Sequence, residues 1–272
     1  MEPVLLIDDP APHVRRLTLN RPHKRNALSN ELRGALFKAL EAGDADPEVR
    51  VMIIRGAGTC FSSGYDLAHL GPTPYHTAGG AGSWARHVVE GCFRIWDLAK
   101  PVIAQVHGWC LAGGSELAVA CDLVYVAEDA QIGYPPVRTI SPPDNHYHAW
   151  LMGMRAAMEQ MLTGDAIDGR EAERLGFANR AFAQGDLERE VLAMAVRIAK
   201  VDPELAQINK RVVHRQMEAM GMRAGLRAGT EMQALGQTTP ASREYMAKVR
   251  EDLRSALELR DKPFEDYRTR DS

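Results

Sequence analysis

One stretch of the chain leaves few choices of fold. From Pro101 to Ser115 no Asp, Glu, Lys or Arg interrupts a markedly apolar run, which ends on Gly113-Gly114 and Ser115. It is shorter than the roughly 20 residues a membrane helix needs. Val102 to His107 reads instead as a buried strand, carried through two glycines into a short helix. Other strand signals lie at Val4 to Ile7, Val14 to Asn20, Val49 to Arg55, Leu123 to Ala127 and Phe177 to Phe182. The first two, separated by Asp8-Asp9-Pro10, resemble a hairpin. Helices fall between them. Ser29 can cap one that carries Leu32, Leu36, Phe37 and Leu40 at helical spacing, with Gly43 as its end. A second surrounds Trp84, and Asp168 with Glu171 opens a third over Gly169 to Leu175 that Gly176 stops. Strand and helix alternate, which predicts an α/β core.

Past Asp186 no strand is evident, and three or four helices broken at Pro203, near Gly221 and at Pro240 are expected. The chain divides on this reading into a core over residues 1–200 and a helical region over 201–272. Gly71 to Gly82, rich in Gly, Pro, Thr and Ala without periodicity, reads as a mobile surface loop that can border a substrate.

Composition narrows the partners. Lys and Arg total 33 against 36 Asp and Glu, a net charge of -3, so there is no basic field for nucleic acid. Nothing reads as a membrane span. Met1 to Pro10 holds Glu2, Asp8 and Asp9 and lacks the basic start and apolar segment of a secretory signal, so a cytoplasmic location is the expectation. Cys60, Cys92, Cys110 and Cys121 lack CxxC spacing and sit among apolar neighbours, which predicts reduced, mostly buried thiols. His146 and His148, two positions apart, do not face the same way on a helix, and no metal site is expected. His107 reads as structural, and Met152, Met154, Met158 and Met161 as core or as the wall of an apolar pocket.

The glycine turn is where chemistry is expected. The first amides of a helix lack internal partners and sit at its positive end, so Gly113 can donate its N–H to an oxyanion, with Glu116 in the first turn behind it. Taken alone, Gly-Gly there is equally at home as a tight packing contact, and Glu116 as a carboxylate favoured by the helix dipole. A second small-residue turn, Cys60-Phe-Ser-Ser-Gly-Tyr-Asp-Leu67, follows the strand at Val49 to Arg55.

Read as whole strings, Lys100 to Asp122 and Cys60 to Leu67 resemble the enoyl-CoA hydratase/isomerase, or crotonase, superfamily. Asn20-Arg-Pro-His-Lys-Arg-Asn-Ala-Leu28 is similar to its opening motif, and Leu162 to Gly176 to a later loop and helix, so the resemblance spans about residues 14 to 200. It implies a spiral of strand-strand-helix turns, with a C-terminal helical region that assembles homotrimers, often paired into hexamers. It also implies an acyl-CoA thioester as substrate, coenzyme A being part of that substrate and no separate cofactor being needed. By position the oxyanion hole falls on the backbone N–H groups of Tyr65 and Gly113. Lys24, Arg25 and Ala27 resemble the segment that lies along CoA, and Ser63, Asp66 and Leu67 the turn facing its adenine and pantetheine. Lys24 and Arg25 are also compatible with a solvated turn. Leu259 to Phe264 resembles the basic-aromatic stretch with which a neighbouring subunit can cover CoA.

Hydratases of this family use two glutamates. Glu116 matches the first, but Pro136 stands where the second is expected, and proline cannot transfer a proton. Asp144 lies eight residues beyond Pro136, the spacing at which some double-bond isomerases of the family carry an aspartate. The readings are therefore an acyl-CoA enzyme with Glu116 as acid and base, an isomerase using Glu116 with Asp144, or a non-catalytic acyl-CoA-binding homologue. For Asp144 a turn or N-cap role before the helix holding Trp150, Leu151 and Met154 is the structural alternative.

Overall fold

The computed structural model describes residues 2–67 and 72–264. A six-stranded sheet runs β1 (Leu5–Ala11), β2 (Val14–Leu19), β3 (Val51–Gly56), β4 (Val102–Val106), β6 (Leu123–Ala127), β8 (Arg180–Phe182). Only β1 is antiparallel, as the first limb of a hairpin with β2; each later neighbour is parallel and reached by a crossover. A short second layer pairs β5 (Trp109–Leu111) with β7 (Gln131–Gly133), and single bridges Leu28 to Tyr65 and Ser62 to Cys110 extend it. This is the strand-strand-helix spiral expected. All five residues of β4 are buried, which is why it reads as an unbroken apolar run.

Helices α1 (Asn30–Ala45) and α3 (Gly113–Ala120) pack on the strands, α2 (Ser83–Trp96) lies against α1 and α3, and α4 (His148–Met152), α5 (Met154–Thr163) and α6 (Gly169–Leu175) follow. Ser29 caps α1 by accepting from the Leu32 N–H, and Asp168 caps α6 by accepting from Glu171. Gly43 does not end α1. It lies inside the helix, where an added Cβ would come within 2.6 Å of Met52 Sδ, so its small size serves the packing of α1 on β3. Asp144 caps nothing, since α4 begins only at His148, and Met154 belongs to a separate helix behind Gly153.

The C-terminal part holds more helices than expected: α7 (Gln184–Ile198), α8 (Pro203–Ala219), α9 (Met222–Gly236), α10 (Pro240–Glu251) and α11 (Leu253–Asp261). The extra break falls at Asp252, whose carboxylate caps α11. α9 adds Met222 and Leu226 to the main core, while Tyr245, Val249 and Ala256 form a small core of their own. Met154, Met158 and Leu162 on α5, and Leu205, Ile208, Val212 and Val213 on α8, stay exposed, so the first two methionines are not core as expected.

The loop expected to be mobile is pinned in its described part, residues 72–82; Gly71 lies outside the described residues. The Tyr75 ring stacks on His87 at 4.1 Å, and its hydroxyl donates to the His87 carbonyl. Among the described residues no helix is long and apolar enough to cross a membrane, and no cluster of metal-ligating side chains occurs. All four cysteines are free and buried.

Candidate active site

The carboxyl ends of β2, β3 and β5 deliver three loops to one place, where parallel sheets commonly bind ligands. The first loop, after β2, turns through Arg25 and Asn26, both at positive φ (50° and 53°). Asn26 holds that turn from inside: its amide donates to the Ala57 and Cys60 carbonyls, while its oxygen accepts from the Arg21 N–H. Arg21 in turn pairs with Asp66 at 2.8 Å, fixing the first loop to the second. Arg25 is exposed, Ala27 and Ser63 are half-buried and Leu67 is exposed, with the Ser63 N–H on the Arg25 carbonyl at 3.0 Å. These five expected contact residues, Asp66 included, therefore line one rim. The Arg21–Asp66 pair and the Asn26 bracket were not anticipated from the sequence.

The backbone arranges the two expected oxyanion donors side by side. Leu28 donates to the Gly64 carbonyl and accepts from the Asp66 N–H, while the Tyr65 N–H between them is taken by no group among the described residues. Gly64, at φ 103°, lies so close to the second turn that a Cβ there would stand 3.1 Å from the Gly113 nitrogen. Ala112 adopts φ 50° and ψ -124°, a costly conformation for a residue with a side chain, and this turns the Gly113 amide out ahead of α3. Such strain concentrates where function requires it.

Behind these amides lie two acids. Glu116 is 0% and Asp144 2% exposed. The turn before α4 holds Glu116 from its backbone, the Asn145 N–H donating to Oε1 at 3.1 Å with the Asp144 amide beside it. Glu116 Oε2 and Asp144 Oδ1 are both buried and without a hydrogen-bond partner. The Tyr65 and Tyr134 phenols face Glu116, and the Trp84 indole faces the Asp144 carboxylate. Burial first, and then the nearby Asp144 charge, push the Glu116 carboxyl well above its ordinary range. Burial raises Asp144 to about 7 against the pull of Trp84 and of the Arg33 guanidinium. Two carboxyls so placed do not both ionise freely, and a pair that retains a proton near neutrality can offer an acid and a base together.

Aromatic rings close the site. Tyr65 packs edge-on against Trp84 at 5.1 Å between centroids, and its ring covers the Gly113 Cα so closely that any Cβ would collide at 2.5 Å. Pro136 belongs to a 3-10 turn over Pro135–Arg138; the side chain that this segment offers Glu116 is the phenol of Tyr134. Arg138 pairs with Asp165 and Asp261 and lies under Phe264, so the stretch ending at Phe264 folds onto its own chain. His148, buried and lowered to about 4 by desolvation, is neutral beside Phe177, and His146 packs on Gly229. His107, just past the strand, hydrogen-bonds the Gly58 carbonyl at 2.9 Å.

Known proteins carry the same architecture. The family model for enoyl-CoA hydratase/isomerase matches residues 11–267. A Thermus thermophilus protein with a provisional enoyl-CoA hydratase assignment is 36% identical over 220 residues, 79% of this chain and 85% of its own length. A crystal structure of an enoyl-CoA hydratase/isomerase from Xanthobacter autotrophicus superposes with TM-score 0.86 at 34% identity, covering 96% of this chain and 98% of that one. A monofunctional enoyl-CoA isomerase of Mycobacterium smegmatis superposes at TM-score 0.66 with 27% identity over 80% of this chain and 95% of its own. The fold, the loops and these matches agree: the chain belongs to the enoyl-CoA hydratase/isomerase family and is an enzyme of that type.

Proposed function

We propose that the enzyme moves the double bond of an acyl-CoA ester between the 3,4 and 2,3 positions through a thioester enolate. The observation that carries this reading is the pairing of Glu116 with Asp144, two buried carboxyls, each with one unengaged oxygen and both with raised proton affinity. The thioester oxygen accepts hydrogen bonds from the Tyr65 and Gly113 amides. One ionised carboxylate removes the proton at C2; the electron pair moves onto the thioester oxygen, where the two amides hold the negative charge. A proton is then delivered at C4 as the double bond closes between C2 and C3. Glu116 and Asp144 exchange the acid and base roles, and the pair returns to its starting protonation. Oxyanion donors of this kind are typically worth about 2.7–4 kcal/mol each.

The names of the relatives favour a second reading, hydration of a 2-enoyl-CoA, in which Asp144 activates the water that a second glutamate handles elsewhere. Along the rim, exposed Arg25 suits a CoA phosphate. The apolar residues left exposed on α5 and α8 support assembly of several copies, a homotrimer or a hexamer, with residues 201–272 as the assembling region. One experiment separates the two reactions. In deuterated water, 2- and 3-enoyl-CoA esters should exchange one carbon-bound hydrogen with migration of the double bond and no gain of water in the mass spectrum. A mass gain of one water establishes hydration and removes the isomerase reading.

A further inference from the structure

A second buried charge lies one ring beyond the acids. Arg33 of α1 is only 5% exposed, and it makes no ion pair among the described residues. Two neutral acceptors meet it: Asn30 Oδ1 at 2.8 Å and the Tyr75 hydroxyl at 3.3 Å. Three rings surround its guanidinium, Trp84 at 5.4 Å, Tyr65 at 5.5 Å and Tyr75 at 6.0 Å. Burying a guanidinium without a carboxylate is expensive, and its planar fork of five N–H groups matches a carboxylate in bidentate fashion. Tyr65 touches Gly113 on one side and Arg33 on another, and Trp84 spans Asp144 and Arg33. Tyr65 and Trp84 thus join the guanidinium to the Gly113 and Asp144 side of the site, and Asp144 feels its charge through space without contacting it.

We infer that Arg33 receives a carboxylate at the distal end of the acyl group, so that the substrate is the mono-CoA ester of a short unsaturated dicarboxylic acid. The inference rests on the acyl-CoA reading of the site. Asn30 and Tyr75 hold the guanidinium in place, and a bound carboxylate takes the N–H groups they leave. An uncharged chain of the same length leaves the buried cation unpaired, which selects against it.

Binding and turnover test the inference and the proposed reaction separately. Calorimetric titration of the purified full-length protein with saturated hexanedioyl-CoA and hexanoyl-CoA should show the dicarboxylic ester bound about tenfold or more tightly, the range for hydrogen bonds to a charged group. R33M should abolish that preference, and R33K, which keeps the charge but loses the fork, should retain part of it. Equal binding of the two esters by the unaltered protein overturns the inference, and needs no variant to fold. A preference that survives in R33M, or a loss of affinity for both esters by the same factor, also overturns it, the latter marking Arg33 as structural. Turnover of 3-hexenedioyl-CoA against 3-hexenoyl-CoA reads the other question. Failure of isomerisation on both esters, with the binding preference intact, removes the proposed reaction and leaves Arg33 as the carboxylate receptor.

Discussion

Helix α3 carries an acid at each end, and the two have opposite surroundings. Asp122, just past its C-terminus, is paired with a cation: Lys210 Nζ lies 2.9 Å from Oδ2, to which the Val102 N–H also donates at 2.8 Å, and His214 Nε2 stands 3.1 Å from Oδ1, an oxygen that makes no hydrogen bond. His214 also stacks on Trp96 at 3.7 Å, so this cluster rivets α8 to the sheet. Glu116, in the first turn, is more deeply buried and has no cation in contact, only backbone amides, phenols and a second acid. One charge is neutralised to hold the fold. The other has no cation in contact, which leaves its proton affinity raised, whereas a carboxyl held by a lysine is a poor acid or base. Arg33 is the buried cation on the same side, in contact with no carboxylate among the described residues though Asp144 feels its charge.

The comparison breaks most sharply at Glu116. Glu116→Gln keeps the volume, and its carbonyl can still accept from the Asn145 N–H. Turnover should fall by about 10²- to 10⁴-fold, the usual contribution of a general acid or base. Affinity for a CoA ester, which the proposed reading assigns to the Tyr65 and Gly113 amides and the rim, should change little. Steady-state kinetics with an equilibrium titration of a saturated ester checks both. Unchanged turnover removes Glu116 from the chemistry.

How much of this was legible depends on whether the signal is local. Gly113, Glu116 and the Asp168 cap are written in short strings, because a strand-to-helix turn and an N-cap each need particular residues within a few positions. Asp144 was legible by its distance from Pro136, but its depth was not: 28 residues separate it from Glu116, and only the fold of the 141–145 turn joins them. Trp84 and Tyr134 gave no motif, since each joins the acids through tertiary packing. Arg33 did leave a trace. It precedes Phe37 by four residues and so lies at the edge of the apolar stripe of α1, a charged residue where burial is expected. Gly43 misled because a glycine near a helix end usually marks its stop, whereas here the bulk of Met52 requires it.

At the cation-paired end the expected effect is on stability alone. Lys210→Met leaves Asp122 short of its main counter-charge while keeping most of the aliphatic bulk. Breaking a buried pair costs about 3–5 kcal/mol, and with both side chains slightly exposed here about 2–3 kcal/mol is expected, a loss of roughly 4–5 °C in Tm. The kcat of the surviving folded protein should stay within about twofold, because no element of the acid pair touches this cluster. Calorimetry beside kinetics measures both, and a large fall in kcat at unchanged Tm would show that the two ends of α3 do not divide the work as argued.

The smallest effect is also the one that runs against intuition: removing a charge from the candidate site should stabilise the free enzyme. Asp144 has an ordinary value of 3.8 and is raised to about 7 in the fold, by burial first. Between those limits the unfolded chain has released its proton while the folded chain retains it, so stability falls as pH rises, by up to about 1.4 kcal/mol per pH unit. The penalty is complete above the folded value and absent below the unfolded one. Asp144→Asn does not titrate and escapes it. Because Glu116 shares the pair's charge, a recovery of about 1–2 kcal/mol is expected at pH 8, a gain of a few °C in Tm that shrinks steadily towards pH 4. Thermal unfolding of both proteins across that range provides the check. Parallel curves with no gain at pH 8 would mean that the acid pair is hydrated or compensated in solution, and that the two ends of α3 are electrostatically alike.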